Sequence, residues 1–358
     1  MPLGLVKHHK GDKIIVISKL DEFKKLVQYG LDVNEASLEE EKKSFFNQLK
    51  AYLIESNIEV GDYKAPDGMW KRLESTEWYV NITGKHPYKF FLDTGLKRVW
   101  VLYSLLDAKN SDKMVKSWIE GRKGLDNCWL SRKHLLHWEK HNSWTSRGYG
   151  FKFSDGLYSK EEAGNLSLKA WYRPNRSIEG IDDIIRSAKD NFAIHSSRWD
   201  KRDNGYITMS TEWYSNGKVT VNRGTDVDET LLTISEMANK YFDSLNYATN
   251  IRNKSMGAFE LNFRQEINLD YFSKTVLKGT GEMKLWLIEV EHGSDFRRFK
   301  GLDLHTWDRV LLDIGFNYAY ITIPGKGCVN AVPRIATIQG ENSAGRTSIY
   351  HDGVEIFA

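Results

Sequence analysis

The pattern of apolar and polar positions is clearest over residues 191–222, where it alternates with the period of a β-strand. Two Asn-Gly pairs, Asn204-Gly205 and Asn216-Gly217, interrupt this alternation. Asn-Gly is the preferred filler of a two-residue type I′ hairpin turn, because both positions of that turn need a positive φ. The segment is therefore predicted to form three short antiparallel strands, a β-meander.

The rest of the chain mixes helical and strand patterns without a regular period. Residues 99–106 are almost wholly apolar, which is typical of a central strand covered on both faces. Residues 37–53 begin with a capping box and continue with apolar residues at helical spacing, which predicts an amphipathic helix. Because no repeated βαβ unit is visible, the sequence predicts an α+β fold with mixed, mainly antiparallel sheets and flanking helices.

A polar stretch at residues 246–257, closed by a glycine, is the best candidate for a domain boundary. It follows a helical pattern with a broad apolar stripe and precedes a region that is mostly strand-like. We therefore expect an α+β domain over 1–250, with the meander near its centre, and a smaller β-rich domain over 258–358.

Composition and charge exclude several classes of protein. The net charge of +3 over 358 residues is too small for a histone-like binder of nucleic acid. Cys128 and Cys328 lie far apart without a neighbouring cysteine, which argues against a disulfide framework and a cysteine zinc site. The N-terminus lacks the apolar core of a signal peptide, and the longest apolar run is too short to span a bilayer. We expect a soluble, cytoplasmic protein without a membrane partner or a bound cofactor.

The meander provides the candidate binding surface. Side chains alternate along a strand, so Tyr206 and Tyr214 are expected on the same, solvent-facing side of its middle strand. Four basic residues are expected at the rim of that side: Lys201, Arg202, Lys218 and Arg223. Aromatic rings stack on bases while basic side chains contact phosphates, so this combination predicts binding of single-stranded nucleic acid. An ordinary solvated sheet face is the alternative interpretation.

The main functional hypothesis is a non-catalytic binding subunit that engages nucleic acid or a protein partner through this sheet face. The 12 Trp and 17 Tyr residues support it, because both residue types are enriched at interfaces. The sequence contains no phosphate-binding loop, no nucleophile elbow and no dinucleotide-binding glycine motif.

The alternative hypothesis is a metal-dependent hydrolase, most plausibly a nuclease. One possible site is the predicted helix 131–141, where His134, His137 and His141 fall at i, i+3 and i+7 and face one side. The other is the segment 282–292, where Glu282-Met283-Lys284 lies at a usable spacing from Asp270, as a nuclease with an Asp followed by Glu-x-Lys requires. Glu282, however, falls in the turn before the predicted strand, and that strand carries Glu289 and Glu291 without a lysine partner.

The same predicted helix holds Arg132 and His137 in an Arg-x4-His spacing, which resembles the catalytic motif of the HEPN ribonucleases. In that family the pair lies at a helix end and faces a dimer partner. The resemblance covers six residues. Lys133 follows the arginine where those enzymes usually have Asn, Asp or His, and the all-helical bundle of the family is not expected here.

Overall fold

A computed structural model describes most of the chain. The described residues are 5–7, 13–15, 17–39, 48–58, 70–74, 76–82, 85–154, 165–171, 181–255, 257–277, 282–343 and 345–357. Their α-helices are α1 (Leu20–Glu39), α2 (Ala108–Glu120), α3 (Arg132–Leu135), α4 (Ile181–Asn191), α5 (Val227–Ser255), α6 (Leu269–Leu277) and α7 (Ala331–Ser343). A 3-10 helix spans His137–Lys140. None of the helices in these ranges has both the length and the apolarity needed to cross a membrane.

Twenty strands are described, and most belong to two large sheets. They are β1 (Leu5–Lys7), β2 (Lys13–Ile15), β3 (Lys50–Ser56), β4 (Trp70–Arg72), β5 (Trp78–Asn81), β6 (Phe90–Asp93), β7 (Val99–Ser104), β8 (Leu125–Asn127), β9 (Trp144–Ser154), β10 (Asn165–Trp171), β11 (Ile194–Asp203), β12 (Tyr206–Tyr214), β13 (Lys218–Gly224), β14 (Phe259–Phe263), β15 (Leu285–His292), β16 (Phe296–Asp303), β17 (Asp308–Gly315), β18 (Tyr318–Thr322), β19 (Thr347–His351) and β20 (Val354–Ile356).

The first sheet has 11 strands in the order β10-β9-β11-β12-β13-β3-β7-β6-β5-β4, with β8 paired to β3. The second has 7 strands in the order β15-β16-β17-β18-β14-β19-β20. The described pairings in both sheets are antiparallel. The expected α+β class with mainly antiparallel sheets is confirmed.

The predicted meander is present as β11, β12 and β13. Its first turn has the expected geometry, with φ of +48° at Asn204 and +84° at Gly205. The second turn differs, because only Gly217, with a φ of +78°, is left-handed. Three residues, 215–217, separate the strands there, and a longer hairpin loop that ends in a left-handed glycine is the usual alternative to the type I′ turn.

The predicted amphipathic helix over residues 37–53 is wrong. Residue 37 lies inside α1, residues 40–47 lie outside the described ranges, and Leu53 lies in β3. The whole of β3 is buried, between β13 and β7. A strand that is covered on both faces carries apolar residues at consecutive positions, and these also satisfy a helical spacing.

The change from the first sheet to the second falls near residue 257, but residues 246–255 are the last turns of α5 rather than a linker. One hydrophobic cluster contains residues from both sheets, including Trp213 and Val219 of the first and Phe259 and Leu312 of the second. The division into two domains at 250–258 stays a prediction.

A buried ion network joins the two sheets. The guanidinium of Arg334, on α7, lies 2.5 Å from a carboxylate oxygen of Asp126 on β8 and 2.5 Å from one of Asp303 on β16. All three side chains are almost completely buried. Asp126 is also the cross-strand neighbour of Glu55, and that second buried carboxylate pairs with Arg98 at 2.8 Å.

The positive charges around Asp126 hold this carboxyl in its ionised state. Burial alone would raise the pKa of Asp126, but the positive charges of Arg334, Lys284 and His305 outweigh it and lower that pKa to about 2. A carboxyl whose pKa is lower in the folded state stabilises the fold above its unfolded pKa. That contribution is lost as the pH falls through about 2.

The two Asn-Gly turns allow a matched test of the meander. We expect Gly205→Ala to cost about 1–2 kcal/mol, because nothing lies within 4 Å of its added Cβ and only the left-handed backbone is disfavoured. Gly217→Ala should cost about 1–3 kcal/mol more, because its Cβ would lie 2.6 Å from the Cys128 carbonyl oxygen. Urea unfolding of both variants measures the difference, and equal losses would contradict the packing described for the second turn.

The buried network makes a second prediction. Removing the guanidinium in Arg334→Ala leaves Asp126 and Asp303 short of a buried counter-charge, so unfolding should become easier by about 3–5 kcal/mol. Arg298→Ala is the matched control, because Arg298 also pairs with two carboxylates but lies at the surface, where such pairs contribute little. If both variants lose the same small amount of stability, the network does not hold the sheets together.

Candidate functional site

The structure places the two tyrosines of the predicted sheet surface at opposite ends of β12. Tyr206 is 79% exposed at the tip of the first hairpin, whereas Tyr214 is half-buried beside Lys218, about 26 Å away along the strand. A β-bulge interrupts the alternation between them, since the partners of Lys201 and Arg202 are residues 209 and 207. The two rings therefore do not form one stacking platform.

Most of the cations predicted at the rim are already paired. Lys201 lies 2.6 Å from Glu229, and Lys218 lies 2.7 Å from Asp112. Arg223 forms an ion pair with a glutamate of α1, while Arg202 donates a hydrogen bond to the Gly205 carbonyl. A paired lysine or arginine attracts a phosphate less than a free one, because the carboxylate already compensates its charge.

The middle of this face is covered as well. Ser210 is 4% exposed and Glu212 is 8% exposed, and Lys169 of β10 lies 3.8 Å from Glu212. Tyr206 at the hairpin tip is exposed as the alternation predicts, while Tyr214 and Lys218 are half-buried in the wall of a separate pocket. The binding role of the six meander residues stays a prediction.

The predicted histidine helix is divided at Leu136 into α3 and the 3-10 helix. His134 faces the core, where its ring nitrogens hydrogen-bond Ser131 at 2.7 Å and Ser244 at 3.1 Å. Burial lowers the pKa of His134 to about 3, so its ring is neutral. This histidine has a structural role, and the expected trio of histidines does not share one side.

The other two histidines meet a carboxylate instead. The rings of His137 and His141 are 4.8 Å apart between centroids, and His137 Nε2 lies 2.9 Å from an oxygen of Glu236 on α5. One ligand atom from each of these three residues lies within 4.8 Å of the others. Glu236 was missed in the sequence because it is almost a hundred positions away.

The second predicted metal site is not assembled among the described residues. Asp270 pairs with Arg297 at 2.7 Å. Lys284, just before β15, lies 3.4 Å from Asp126 in the buried network. Glu289, on β15, pairs with His292 at 2.6 Å on the surface.

Glu55, His305 and Cys328 form a buried cluster with atoms that are suitable for metal binding. The carboxylate of Glu55, however, already accepts hydrogen bonds from Arg98 at 2.8 Å and from Asn57 at 2.8 and 3.0 Å. Burial raises the pKa of the Cys328 thiol, which is therefore protonated near neutral pH. The carboxylate of the cluster is thus already occupied by partners from the protein, and the cluster belongs to the network that joins the sheets.

A cleft of about 340 Å³ opens where α3 and the 3-10 helix face α5, β19 and β20. Its wall combines many basic side chains with few acidic ones. The basic residues and the histidine on the wall are Arg132, Lys133, His137, Lys140, Lys240 and Arg346. The acidic residues on the wall are Glu139 and Glu355. The cleft is therefore rich in positive charge.

Ion pairs neutralise only part of this charge. Arg132 pairs with Asp190 at 3.1 Å, and Arg346 pairs with Glu355 at 3.4 Å. Glu139 binds a lysine and a tyrosine outside the cleft. The basic residues left without an ion pair to any described carboxylate are Lys133, Lys140 and Lys240. Their charges leave the cleft with an excess of positive charge.

These lysines repel each other. Partial burial and the positive charges of Lys133 and Lys140 hold the pKa of Lys240 below its ordinary value, against the opposing effects of Glu236 and Asp243. Like charges held together at a cost to stability are typical of binding sites, because a bound ligand of opposite charge relieves the repulsion.

The two residues of the HEPN-like spacing, Arg132 and His137, do not lie on one continuous helix. Arg132 lies in α3 and His137 begins the 3-10 helix, so no continuous helix carries the pair. Both residues line the same cleft, but Arg132 is held by Asp190 and His137 by Glu236.

Fold and site together define an α+β protein with a cleft lined by basic residues between its helices and its second sheet. The model of the MJECL33-like proteins matches residues 13–340, so the chain belongs to this family. The chain is also similar to the uncharacterized protein MJECL33 of Methanocaldococcus jannaschii, with 23% identity over 345 residues. This similarity covers 81% of the chain and 83% of the relative.

The charge repulsion in the cleft makes a prediction about stability. Lys240→Gln should raise the midpoint of thermal unfolding at low salt, because a lysine whose pKa is lowered by folding destabilises the fold while it is charged. The gain should fade as the pH rises from the lowered pKa through 10.5, where the unfolded lysine also loses its proton. Lys201→Gln, which removes a lysine paired with Glu229, should not raise the midpoint.

Proposed function

We propose that this protein is a non-catalytic binding subunit that holds single-stranded nucleic acid at the cationic cleft. The observation that carries the proposal is the group of three lysines, Lys133, Lys140 and Lys240, around one concave site without ion pairs to described carboxylates. Contacts between lysine or arginine and phosphates supply most of the affinity for nucleic acid.

The size of the cleft favours a single strand. A volume of about 340 Å³ is that of a pocket for one small ligand, so it accepts one or two phosphates or an extended nucleotide. A duplex is a wide cylinder that proteins contact by inserting elements into its grooves, and a small concave site does not fit around it.

A candidate for base stacking lies on the helix that carries Lys240. Tyr247 is 50% exposed and follows Lys240 by seven residues, which places it on the same face of α5 about 10 Å further along. A strand whose phosphate binds Lys240 has an aromatic ring within reach, and such stacking tolerates any base. At the hairpin tip, Arg202 and Tyr206 keep the composition of the predicted contact and are included in the proposal.

Titration of labelled oligo(dT) and oligo(U) at several salt concentrations, in the presence of EDTA and followed by fluorescence anisotropy, tests the proposal. The triple variant Lys133→Gln, Lys140→Gln, Lys240→Gln should bind more weakly, because three phosphate contacts are lost. The slope of log K against log salt should fall by about 2, from about 0.7 for each contact on a single strand.

The double variant Lys201→Gln, Lys218→Gln is the control, because both lysines are already paired with carboxylates. We expect its salt slope to stay near that of the unaltered protein. Failure of the unaltered protein to bind either oligonucleotide at low salt contradicts the proposal and favours the protein partner instead. An equal loss in the control would place the contact on the meander.

We also propose a cytoplasmic location. Cys128 and Cys328 are both free and buried, which suits a reducing compartment.

A further inference from the structure

The cluster of His137, His141 and Glu236 combines three ligands, two imidazoles and one carboxylate, of types that transition metals accept. His137 begins the 3-10 helix, His141 follows its end, and Glu236 lies on α5. Their nearest ligand atoms lie within 4.8 Å of one another. Zinc bonds of about 2.0–2.1 Å separate neighbouring ligand atoms by roughly 3.3 Å, so movements of about 1.5 Å in two half-exposed or exposed side chains close the site.

Trp138 positions the imidazoles of this cluster. His137 Nε2 lies 2.9 Å from an oxygen of Glu236, so its ring already faces the carboxylate of the set. The ring packs against Trp138, with 4.6 Å between centroids, which limits its movement. His141 contacts the same tryptophan at 5.5 Å.

Two other histidine–carboxylate pairs lack a third ligand, unlike the cluster around His137 and the buried group of Glu55, His305 and Cys328. His292 lies 2.6 Å from Glu289 and His195 lies 2.8 Å from Glu341, and neither pair belongs to a group of three metal-capable side chains. A pair of this kind is an ordinary hydrogen bond. The third ligand distinguishes the cluster around His137.

The positive charges near the cluster oppose the binding of a cation alone. They favour a cation that binds together with an anion. The set contains only one carboxylate, and Lys240 follows Glu236 by one turn of α5. His137 also lines the cationic cleft, so an ion on its ring has a neighbouring site for a phosphate or another anion. Two histidines and one carboxylate leave coordination positions open for such an oxygen ligand.

We propose that His137, His141 and Glu236 form a binding site for a divalent transition metal ion of the Zn²⁺ or Co²⁺ class at the wall of the cationic cleft. The site goes beyond the proposed binding of nucleic acid and does not depend on it, since the ligands are protein side chains. It also replaces the trio of histidines that the sequence predicted.

Calorimetric titration of the full chain with Zn²⁺, and visible absorption with Co²⁺, tests the site without any nucleic acid. We expect one ion per chain. His141→Ala and Glu236→Gln should each weaken binding by about tenfold or more, because each removes one ligand. Both side chains are half-exposed or exposed, and a thermal midpoint within the range of the unaltered protein establishes that the variants fold.

Two further variants separate the alternatives. His292→Ala removes the exposed histidine–glutamate pair and should leave metal binding unchanged. Lys240→Gln should tighten metal binding by about threefold or more at low salt, because it removes a nearby positive charge. The same substitution is expected to weaken oligonucleotide binding, so failure of one proposal is distinguishable from failure of the other.

The absence of one-to-one binding overturns the proposal. Unchanged affinity in both His141→Ala and Glu236→Gln overturns it as well. Loss of binding in Cys328→Ser, without loss in those two variants, would place the ion in the buried cluster of Glu55, His305 and Cys328 instead.

Discussion

The arrangement of this protein depends on one buried guanidinium. Arg334, on α7, lies between a carboxylate of the first sheet and a carboxylate of the second, and all three side chains are almost completely buried. Separating the sheets would leave charges without partners in a medium of low dielectric constant, which is costly. Apolar packing between the sheets is non-directional, so we infer that this network fixes their relative position.

The network also positions the cleft. Tyr241 of α5 is fully buried and donates a hydrogen bond to Asn330, just before α7, and Asn330 in turn donates to Asp126. The residue before Tyr241 is Lys240, which points into the cleft. The strand after α7 is β19, which forms another part of the cleft wall. Because these hydrogen bonds fix the position of α5 through Tyr241, the side chain of Lys240 has a defined position in the cleft wall.

Two groups of basic residues show how function separates from composition. The meander cations Lys201, Lys218 and Arg223 each have a carboxylate partner from a distant element. Lys133 and Lys140, by contrast, face a cleft without such partners among the described residues. Both groups are equally basic in sequence. Only the second keeps charges without a described carboxylate partner, and partial burial together with repulsion from these lysines lowers the pKa of Lys240.

The sequence by itself determined those local structures whose pattern allows one interpretation. Alternation and an Asn-Gly pair depend on neighbouring residues, so the meander and the buried strand β7 were predictable, and with them the α+β class. The tertiary structure alone decided which charges are paired, which histidines meet a carboxylate, and that residues 50–56 form a strand rather than a helix. These outcomes depend on burial and on partners that are distant in the sequence, such as Glu236 for His137. The spacing of residues along the chain encodes neither burial nor these partners.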